Sequence, residues 1–183
     1  MLNFNSMMLE SNPFRWHKFY SFLHQEVYDQ CVIEARQYPY FKIEKTRTSN
    51  TNRIWLNQEK GTLGKLGKYF DNIETKKNLS QVLGINFDSA STRIELCLDN
   101  AGSWLESHKD DSAKMMTMQI NLVGRGLSTK IEEHNTTFCE NSAWAFDNKD
   151  QPIHSLNPLK FDRTTIIVNY VNDKWRDRSV LIK

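Results

Sequence analysis

The sequence predicts a mainly β fold with an N-terminal α layer, namely a jelly roll or double-stranded β-helix of the cupin type. Three observations support this prediction. Apolar residues recur at helical spacing in the first half of the chain. After residue 90 the spacing changes to alternation, over many short segments separated by turns. Two histidines and one aspartate in the second half form a candidate metal-ligand set, which favours the cupin type of jelly roll.

Helical spacing accounts for most of the first half. Residues 25–36 place apolar side chains on one side and end before Pro39. Residues 62–83 show the same spacing in two pieces, and Gly84 suits the cap that ends the second piece. We therefore expect about three helices, preceded by a loose arm over residues 1–12 and an aromatic-rich segment over residues 13–23 that packs on the core.

A charged, alternating segment separates the first predicted helix from the others. It spans residues 42–55 and carries Lys45, Arg47 and Arg53 among serine, threonine and asparagine. It is either a solvated strand and loop or the rim of an active site, because loops on a rigid scaffold often carry specificity.

Alternation predicts at least seven short strands in the second half. Arg93, Glu95 and Cys97 alternate with apolar residues, so the polar face of this first strand is expected to line a pocket. The later predicted strands cover residues 104–110, 116–122, 128–132, 142–146, 154–156, 164–170 and 178–182.

Length and composition exclude several classes of protein. With 183 residues, 39% hydrophobic and 25% charged, the chain is long enough for one well-packed domain and is not a disordered protein. A net charge of +2 does not argue for nucleic acid. No apolar run approaches the roughly 20 residues of a membrane span, and the N-terminus does not resemble a signal peptide. Cys31, Cys97 and Cys139 are too widely spaced for a zinc cage and indicate reduced thiols in a cytoplasmic protein.

The candidate metal ligands are His108, Asp110 and His154. His108 and Asp110 have alternate-residue spacing, so in an extended segment both side chains point to one side. Two imidazoles and a carboxylate leave the opposite side of a metal open, which is the ligand type of non-haem Fe(II) oxygenases. Arg163, with Thr165 on the same face of a strand, could bind an acidic cosubstrate through its planar fork. The alternative is a solvated His-Lys-Asp turn, a structural His154 and a surface arginine.

Residues 90–170 resemble the 2-oxoglutarate- and Fe(II)-dependent oxygenases, in particular the short bacterial and phage members. The resemblance rests on the order of a strand, a glycine turn, the HxD at His108, a strand ending in leucine, a second histidine and an R-x-S/T motif at Arg163. It implies one oxygenase domain over residues 1–183, with an N-terminal layer over 1–90 and a jelly-roll core over 91–183.

The resemblance also implies cofactors and their ligands. His108, Asp110 and His154 would hold Fe(II), with O2 as a second substrate. Arg163 would bind the C5 carboxylate of 2-oxoglutarate, Thr165 could add a hydroxyl donor, and Asn121 is a further candidate contact. Many relatives carry a tyrosine near these positions, where this chain has Cys97 and Gln119 or Asn121. No catalytic residue is expected beyond the metal site.

The sequence leaves the substrate open. Arg93 and Trp104 are candidate substrate contacts, although Arg93 could instead form a structural salt bridge and Trp104 could lie in the core. Lys114 could also face the mouth of the pocket, but it is expected to be solvated. We favour hydroxylation of a small molecule or sugar. The alternatives are a protein hydroxylase, a cupin-type isomerase, epimerase or dioxygenase that does not use 2-oxoglutarate, and a non-catalytic binding module. Neither a nucleic-acid nor a membrane partner is expected, and the oligomeric state is not predicted.

Overall fold

The computed structural model describes residues 1–3, 7–10, 16–38, 42–44, 51–57 and 60–182. Within them lie three α-helices: α1 (Gln25–Gln37), α2 (Gly61–Asp71) and α3 (Ile73–Leu83). The strands are β1 (Met7–Glu10), β2 (Trp16–Phe19), β3 (Lys42–Glu44), β4 (Thr51–Trp55), β5 (Ser91–Asp99), β6 (Leu105–His108), β7 (Lys114–Val123), β8 (Leu127–Ile131), β9 (His134–Thr137), β10 (Ala143–Asp147), β11 (His154–Leu156) and β12 (Arg163–Val171).

These strands form two antiparallel sheets. The large sheet has eight strands in the order β1-β2-β10-β7-β12-β5-β4-β3, and the small sheet has four in the order β6-β11-β8-β9. Together they form a double-stranded β-helix with helices beside it, so the predicted fold class is confirmed. Strands β1 to β4 precede residue 90 and still belong to the large sheet. The N-terminal layer therefore contributes strands as well as helices.

Alternation along the central strands separates two environments. On β12, Ile166 and Val168 are fully buried in the main core, together with Leu63, Leu66 and Phe70 of α2. Each such side chain contributes about 1.5–3 kcal/mol by its burial. The residues between them point to the opposite face of the sheet, because successive strand residues alternate. The helices therefore cover one face of the large sheet and leave the other for a cavity.

Local hydrogen bonds fix the ends of the helices. The Glu34 carboxylate of α1 accepts from the backbone N–H groups of Thr62 and Leu63 at 2.7 and 2.9 Å, and so caps the start of α2. The Asn72 side chain accepts from Glu74 at the start of α3. Gly84 ends α3 in the left-handed region with φ of 69°, as its position in the sequence predicts.

The structure also corrects parts of the prediction. Residues 178–182 do not form a strand. Arg178–Val180 is a 3-10 turn, held by the Asp177 carboxylate, which accepts from Ser179 N–H. β9 was not predicted, because its residues His134–Thr137 are all polar and show no alternation. Residues 7–10 of the predicted loose arm pair with β2, whereas Lys45 and Arg47 lie outside the described residues.

None of the helices that the structure describes is long and apolar enough to span a membrane.

Candidate metal centre

The three predicted metal ligands come together at one end of the small sheet. His108 is the last residue of β6 and pairs directly with His154, the first residue of β11. Asp110 follows two residues after His108, and its Oδ2 lies 3.9 Å from His154 Nε2. One ligand atom from each of the three residues lies within 4.8 Å of the other two. Side chains separated by up to 46 positions in the sequence thus converge on one point.

The backbone determines which nitrogen each histidine presents. His108 Nδ1 lies 2.8 Å from the carbonyl oxygen of Glu106, and His154 Nδ1 lies 3.1 Å from that of Pro152. A carbonyl oxygen can only accept, so each Nδ1 carries the proton and donates it. Each Nε2 is then left with a lone pair. This is the arrangement in which a histidine ligates a metal through one nitrogen and is oriented through the other.

Asp110 is held as a carboxylate beside these rings. Burial alone would raise its pKa, but the ion pair with Lys114, the neighbouring His154 and the hydroxyl of Thr117 lower the pKa to about 2. Thr117 Oγ1 donates to Asp110 Oδ2 at 2.5 Å. Burial lowers the pKa of His154 more than Asp110 raises it, and favours the neutral ring. One carboxylate and two imidazole nitrogens fit a divalent metal of the iron type.

Arg163 lies in the same cavity, which has a volume of about 370 Å³ and is lined by both sheets. Its Nε donates to Asp99 Oδ2 at 2.8 Å, and its Nη1 donates to Ser128 Oγ at 3.3 Å. Thr165 also lines the cavity and is 1% exposed. The structure thus brings the predicted cosubstrate contacts Arg163 and Thr165 into one cavity with the metal ligands.

Two other predicted contacts lie elsewhere. Asn121 is buried and is not among the residues that line the cavity: its Oδ1 accepts from Gln119, and its Nδ2 donates to Ser142 Oγ. Gln119 lines the cavity instead, as does Cys97, whose pKa is raised by burial. Trp104 is half-buried and is not among the residues that line the cavity, although its neighbour Leu105 is.

Arg93 lines the cavity, and its Nη2 donates to Glu95 Oε1 at 3.1 Å. The polar face of β5 therefore lines the cavity, as expected. Arg93 also forms the salt bridge that was the alternative to a substrate contact. Lys114 was expected to be solvated, which is wrong. It pairs with Asp110 inside the cavity, and burial lowers its pKa.

Sequence reasoning missed several cavity residues, chiefly Asp99 and Thr117. Asp99 and Thr117 share a signal that could have identified them, because each lies on the polar face of a strand that was predicted to alternate. Arg53 lines the cavity, which agrees with the active-site rim that was one of the two interpretations of residues 42–55.

No family model and no curated protein matches this chain. Solved structures do. A Pseudomonas putida prolyl-4-hydroxylase superposes with a TM-score of 0.68 at 14% identity, covering 86% of this chain and 92% of that chain. The viral collagen prolyl hydroxylase of Paramecium bursaria Chlorella virus-1, in a 2-oxoglutarate complex, superposes with a TM-score of 0.64 at 16% identity, covering 87% and 96%.

A non-heme alpha-ketoglutarate-dependent epimerase, SnoN from nogalamycin biosynthesis, also superposes, with a TM-score of 0.64 at 10% identity, covering 86% of this chain and 77% of that chain. At such identities the likeness concerns the fold. This chain has the double-stranded β-helix fold found in 2-oxoglutarate-dependent hydroxylases and in an epimerase of the same cofactor type.

Proposed function

We propose that this protein is an Fe(II)- and 2-oxoglutarate-dependent dioxygenase that hydroxylates a small molecule or sugar. The observation that carries the proposal is the convergence of His108, Asp110 and His154 within 4.8 Å, in a cavity that also contains Arg163. The shared fold with 2-oxoglutarate-dependent proteins supports the choice of cosubstrate.

In this proposal His108, Asp110 and His154 would hold the iron. Iron and 2-oxoglutarate bound at this site would supply the O2-activating chemistry for the hydroxylation of a C–H bond. Arg163 binds the C5 carboxylate through its fork, and Asp99 orients that fork by accepting from Nε. Thr165 offers a hydroxyl to the same carboxylate. Thr117 and Lys114 keep Asp110 ionised and fixed in position.

A protein hydroxylase is the second candidate, since one of the similar structures is a collagen prolyl hydroxylase. The cavity is partly open, and its volume of about 370 Å³ favours a small substrate. A cupin-type enzyme that does not use 2-oxoglutarate would keep the metal ligands but would have no need for Arg163. A cytoplasmic location, a single domain divided near residue 90, and the absence of a nucleic-acid partner stay predictions.

The first test is the anaerobic addition of Fe(II) and then 2-oxoglutarate to the purified protein. We expect the weak visible charge-transfer band of a bidentate keto acid on iron. The Asp110→Ala variant should lose the band and bind Fe(II) at least about 100-fold more weakly. Bound iron without a band would contradict the use of 2-oxoglutarate, and failure to bind metal would contradict the whole proposal.

The role of Arg163 is tested separately with Arg163→Lys. Because lysine cannot make two parallel hydrogen bonds, the KM for 2-oxoglutarate should rise by about tenfold or more, while Fe(II) binding stays the same. Arg125→Lys is the matched control, since Arg125 is an exposed arginine stacked on Phe161. An unchanged KM in Arg163→Lys would rule out Arg163 as the cosubstrate anchor.

A further inference from the structure

We infer that Arg93 and Asn169 are positioning residues for the candidate metal ligand Asp110, and that they act on it through the hydroxyl of Thr117. The inference deepens the proposed function and rests on that proposal for the metal. The hydrogen bonds themselves rest on the contacts of four side chains in the structure. They give Arg93 a role other than the substrate contact that the sequence suggested.

The register of three neighbouring strands brings these side chains together. Arg93 of β5 lies directly opposite Asn169 of β12, and Asn169 lies directly opposite Thr117 of β7. Residues that lie opposite each other in antiparallel strands point to the same face of the sheet. The three side chains therefore form one row on the cavity face. Asp110, in the segment between β6 and β7, lies at the end of this row.

A continuous chain of hydrogen bonds follows the row. Arg93 Nη1 donates to Asn169 Oδ1. Asn169 Nδ2 donates to Thr117 Oγ1 at 3.0 Å, and Thr117 Oγ1 donates to Asp110 Oδ2 at 2.5 Å. None of the four residues is more than 8% exposed. Buried hydrogen bonds of this kind are stronger than they would be in water, and neighbouring bonds in a chain reinforce one another.

The two ends of the chain determine the direction of each hydrogen bond in it. A guanidinium can only donate, and an ionised carboxylate can only accept. Because Arg93 donates, Asn169 must present its oxygen to Arg93 and its NH2 group to Thr117. The Thr117 hydroxyl has one proton, which therefore points at Asp110. The opposite orientation of the Asn169 amide would set two donors against each other at Arg93 and would offer Thr117 a competing acceptor.

Two further contacts complete the surroundings of the Thr117 hydroxyl. Asn148 Nδ2 donates to Thr117 Oγ1 at 3.1 Å, so the oxygen accepts two hydrogen bonds and donates one, which uses its full capacity. Asn169 Nδ2 also lies 3.4 Å from the Met116 carbonyl, which favours the same orientation of the amide. Asn148 Oδ1 is buried without a partner among the described residues, so no donor fixes the orientation of that amide. The direction is therefore set from the side of Asn169 and Arg93.

The position of Arg93 is itself fixed by three contacts. Its guanidinium carbon lies 4.6 Å from the ring centroid of Trp55 and 5.2 Å from that of Trp175. Its Nη2 donates to Glu95 Oε1 at 3.1 Å. A guanidinium that is stacked and paired in this way keeps its plane, because rotation would lose both kinds of contact.

The chain acts on the Asp110 oxygen that faces His154. Oδ2 accepts from Thr117 and lies 3.9 Å from His154 Nε2, whereas Oδ1 pairs with Lys114. The partners of a metal-binding carboxylate orient it, and the loss of one typically weakens metal binding by about 10- to 100-fold. Metal affinity should therefore depend on Arg93 and Asn169, although the chain places neither of them next to the metal.

The test uses Co(II) as the probe, because its visible absorption reports both its affinity and its ligand geometry. Arg93→Gln removes the end of the chain that can only donate, and Asn169→Asp keeps the shape but cannot donate to Thr117. Both variants should bind Co(II) about tenfold more weakly, with an altered spectrum. Electrostatics alone predicts tighter binding, since each variant makes the surroundings of the metal more negative. Arg93→Lys, which still only donates, should stay within about threefold of the parent.

Thr117→Val tests the route of the effect. It should itself weaken Co(II) binding by about tenfold, and adding Arg93→Gln to it should cause no further loss. Thr92→Val is the matched control, because the Thr92 hydroxyl is also buried and donates to a carboxylate, that of Asp71 at 2.7 Å, but on the helix-facing side. Co(II) binding to Thr92→Val should equal that of the parent.

Each variant is measured at a temperature at which circular dichroism shows it to be folded. Unchanged or tighter Co(II) binding in Arg93→Gln and Asn169→Asp would overturn the inference. So would an equal loss from Arg93→Gln with and without the Thr117 hydroxyl, because Arg93 would then act by another route.

A measurement without metal separates this inference from the proposed function. The hydroxyl proton of Thr117 is followed by NMR in the metal-free protein. Its exchange with solvent should be at least about tenfold faster in Arg93→Gln than in Arg93→Lys. Equal exchange rates would overturn the inference even if the parent binds Co(II). A parent that binds no Co(II) but shows the expected difference in exchange would overturn the metal centre of the proposed function and confirm the chain of hydrogen bonds.

Discussion

The two faces of the large sheet use the same strands but bury opposite kinds of side chain. On β12, Ile166 and Val168 are fully buried against the helices, whereas Thr165 and Arg163 are almost as deeply buried on the cavity side. β5 shows the same division, with apolar Ile94 on the helix side. Burial alone therefore does not distinguish core from site in this fold. The chemical type of each alternate residue does.

The two faces should also differ in what they contribute to stability. Removal of apolar surface from water stabilises the helix-facing side. On the cavity side, Arg93, Glu95 and Asp99 are at most 7% exposed, and each must be paired to offset the loss of hydration. Buried ion pairs of this kind add little net stability. We therefore expect the helix-facing side to determine folding and the cavity side to determine binding.

The largest expected effect on stability is at Ile166 of β12. Its neighbour Thr165 provides the comparison on the cavity side. Ile166→Ala should lower the free energy of unfolding by about 2–5 kcal/mol, because it leaves a cavity in the main core. Thr165→Val, of nearly the same size and on the other face, should change it by less than about 1.5 kcal/mol while weakening 2-oxoglutarate binding. Urea denaturation measures the free energy of unfolding of both variants. Calorimetry measures the binding of 2-oxoglutarate to Thr165→Val. Similar losses of stability in both variants would contradict the division of roles.

The hydroxyl of Tyr170, a polar group on the helix-facing side, provides a second test of the difference between the two faces. Tyr170 is fully buried, and its hydroxyl donates to the Phe70 carbonyl at 2.7 Å, which ties β12 to α2. Tyr170→Phe should lower the free energy of unfolding by about 1–3 kcal/mol, because the carbonyl loses its partner. Fe(II) affinity should not change. Fe(II) affinity is measured at a temperature at which Tyr170→Phe is fully folded. A fall in that affinity would show that the helix-facing side influences metal binding on the cavity side.

The smallest effect is expected at the junction of α1 and α2, far from the cavity. Backbone N–H groups of Leu63 and Thr62 lower the pKa of Glu34 against the opposing effect of burial. The contribution of Glu34 to stability is therefore present above the pKa of Glu34 in the unfolded chain. It is lost as the pH falls through the lower pKa of Glu34 in the folded protein. Glu34→Gln should cost about 1 kcal/mol at neutral pH.

Urea titrations of the parent and of Glu34→Gln, at pH 7 and at pH 3, check the sign of this effect. The difference between the two proteins should shrink at the lower pH. A difference that grows on acidification would contradict the capping role of Glu34.

Much of this arrangement could be predicted from local spacing. The period of two over β5, β7 and β12 predicted the sheet and its polar face, and the His-x-Asp spacing predicted two of the three candidate metal ligands. The ion pairs could not be predicted, because Arg163 and Asp99 are 64 residues apart and meet only through the register of β12 on β5. Lys114 was misjudged for a related reason. Its pairing with Asp110 depends on a turn whose geometry no periodicity describes.

The orientation of the two candidate metal-binding histidines, His108 and His154, has a consequence for how the surrounding sequence can change. Each ring is held by the carbonyl two residues before it, at Glu106 and at Pro152. A carbonyl belongs to every amino acid, so substitutions at those two positions leave the acceptor in place. The histidines can thus keep their tautomers while the surrounding side chains diverge.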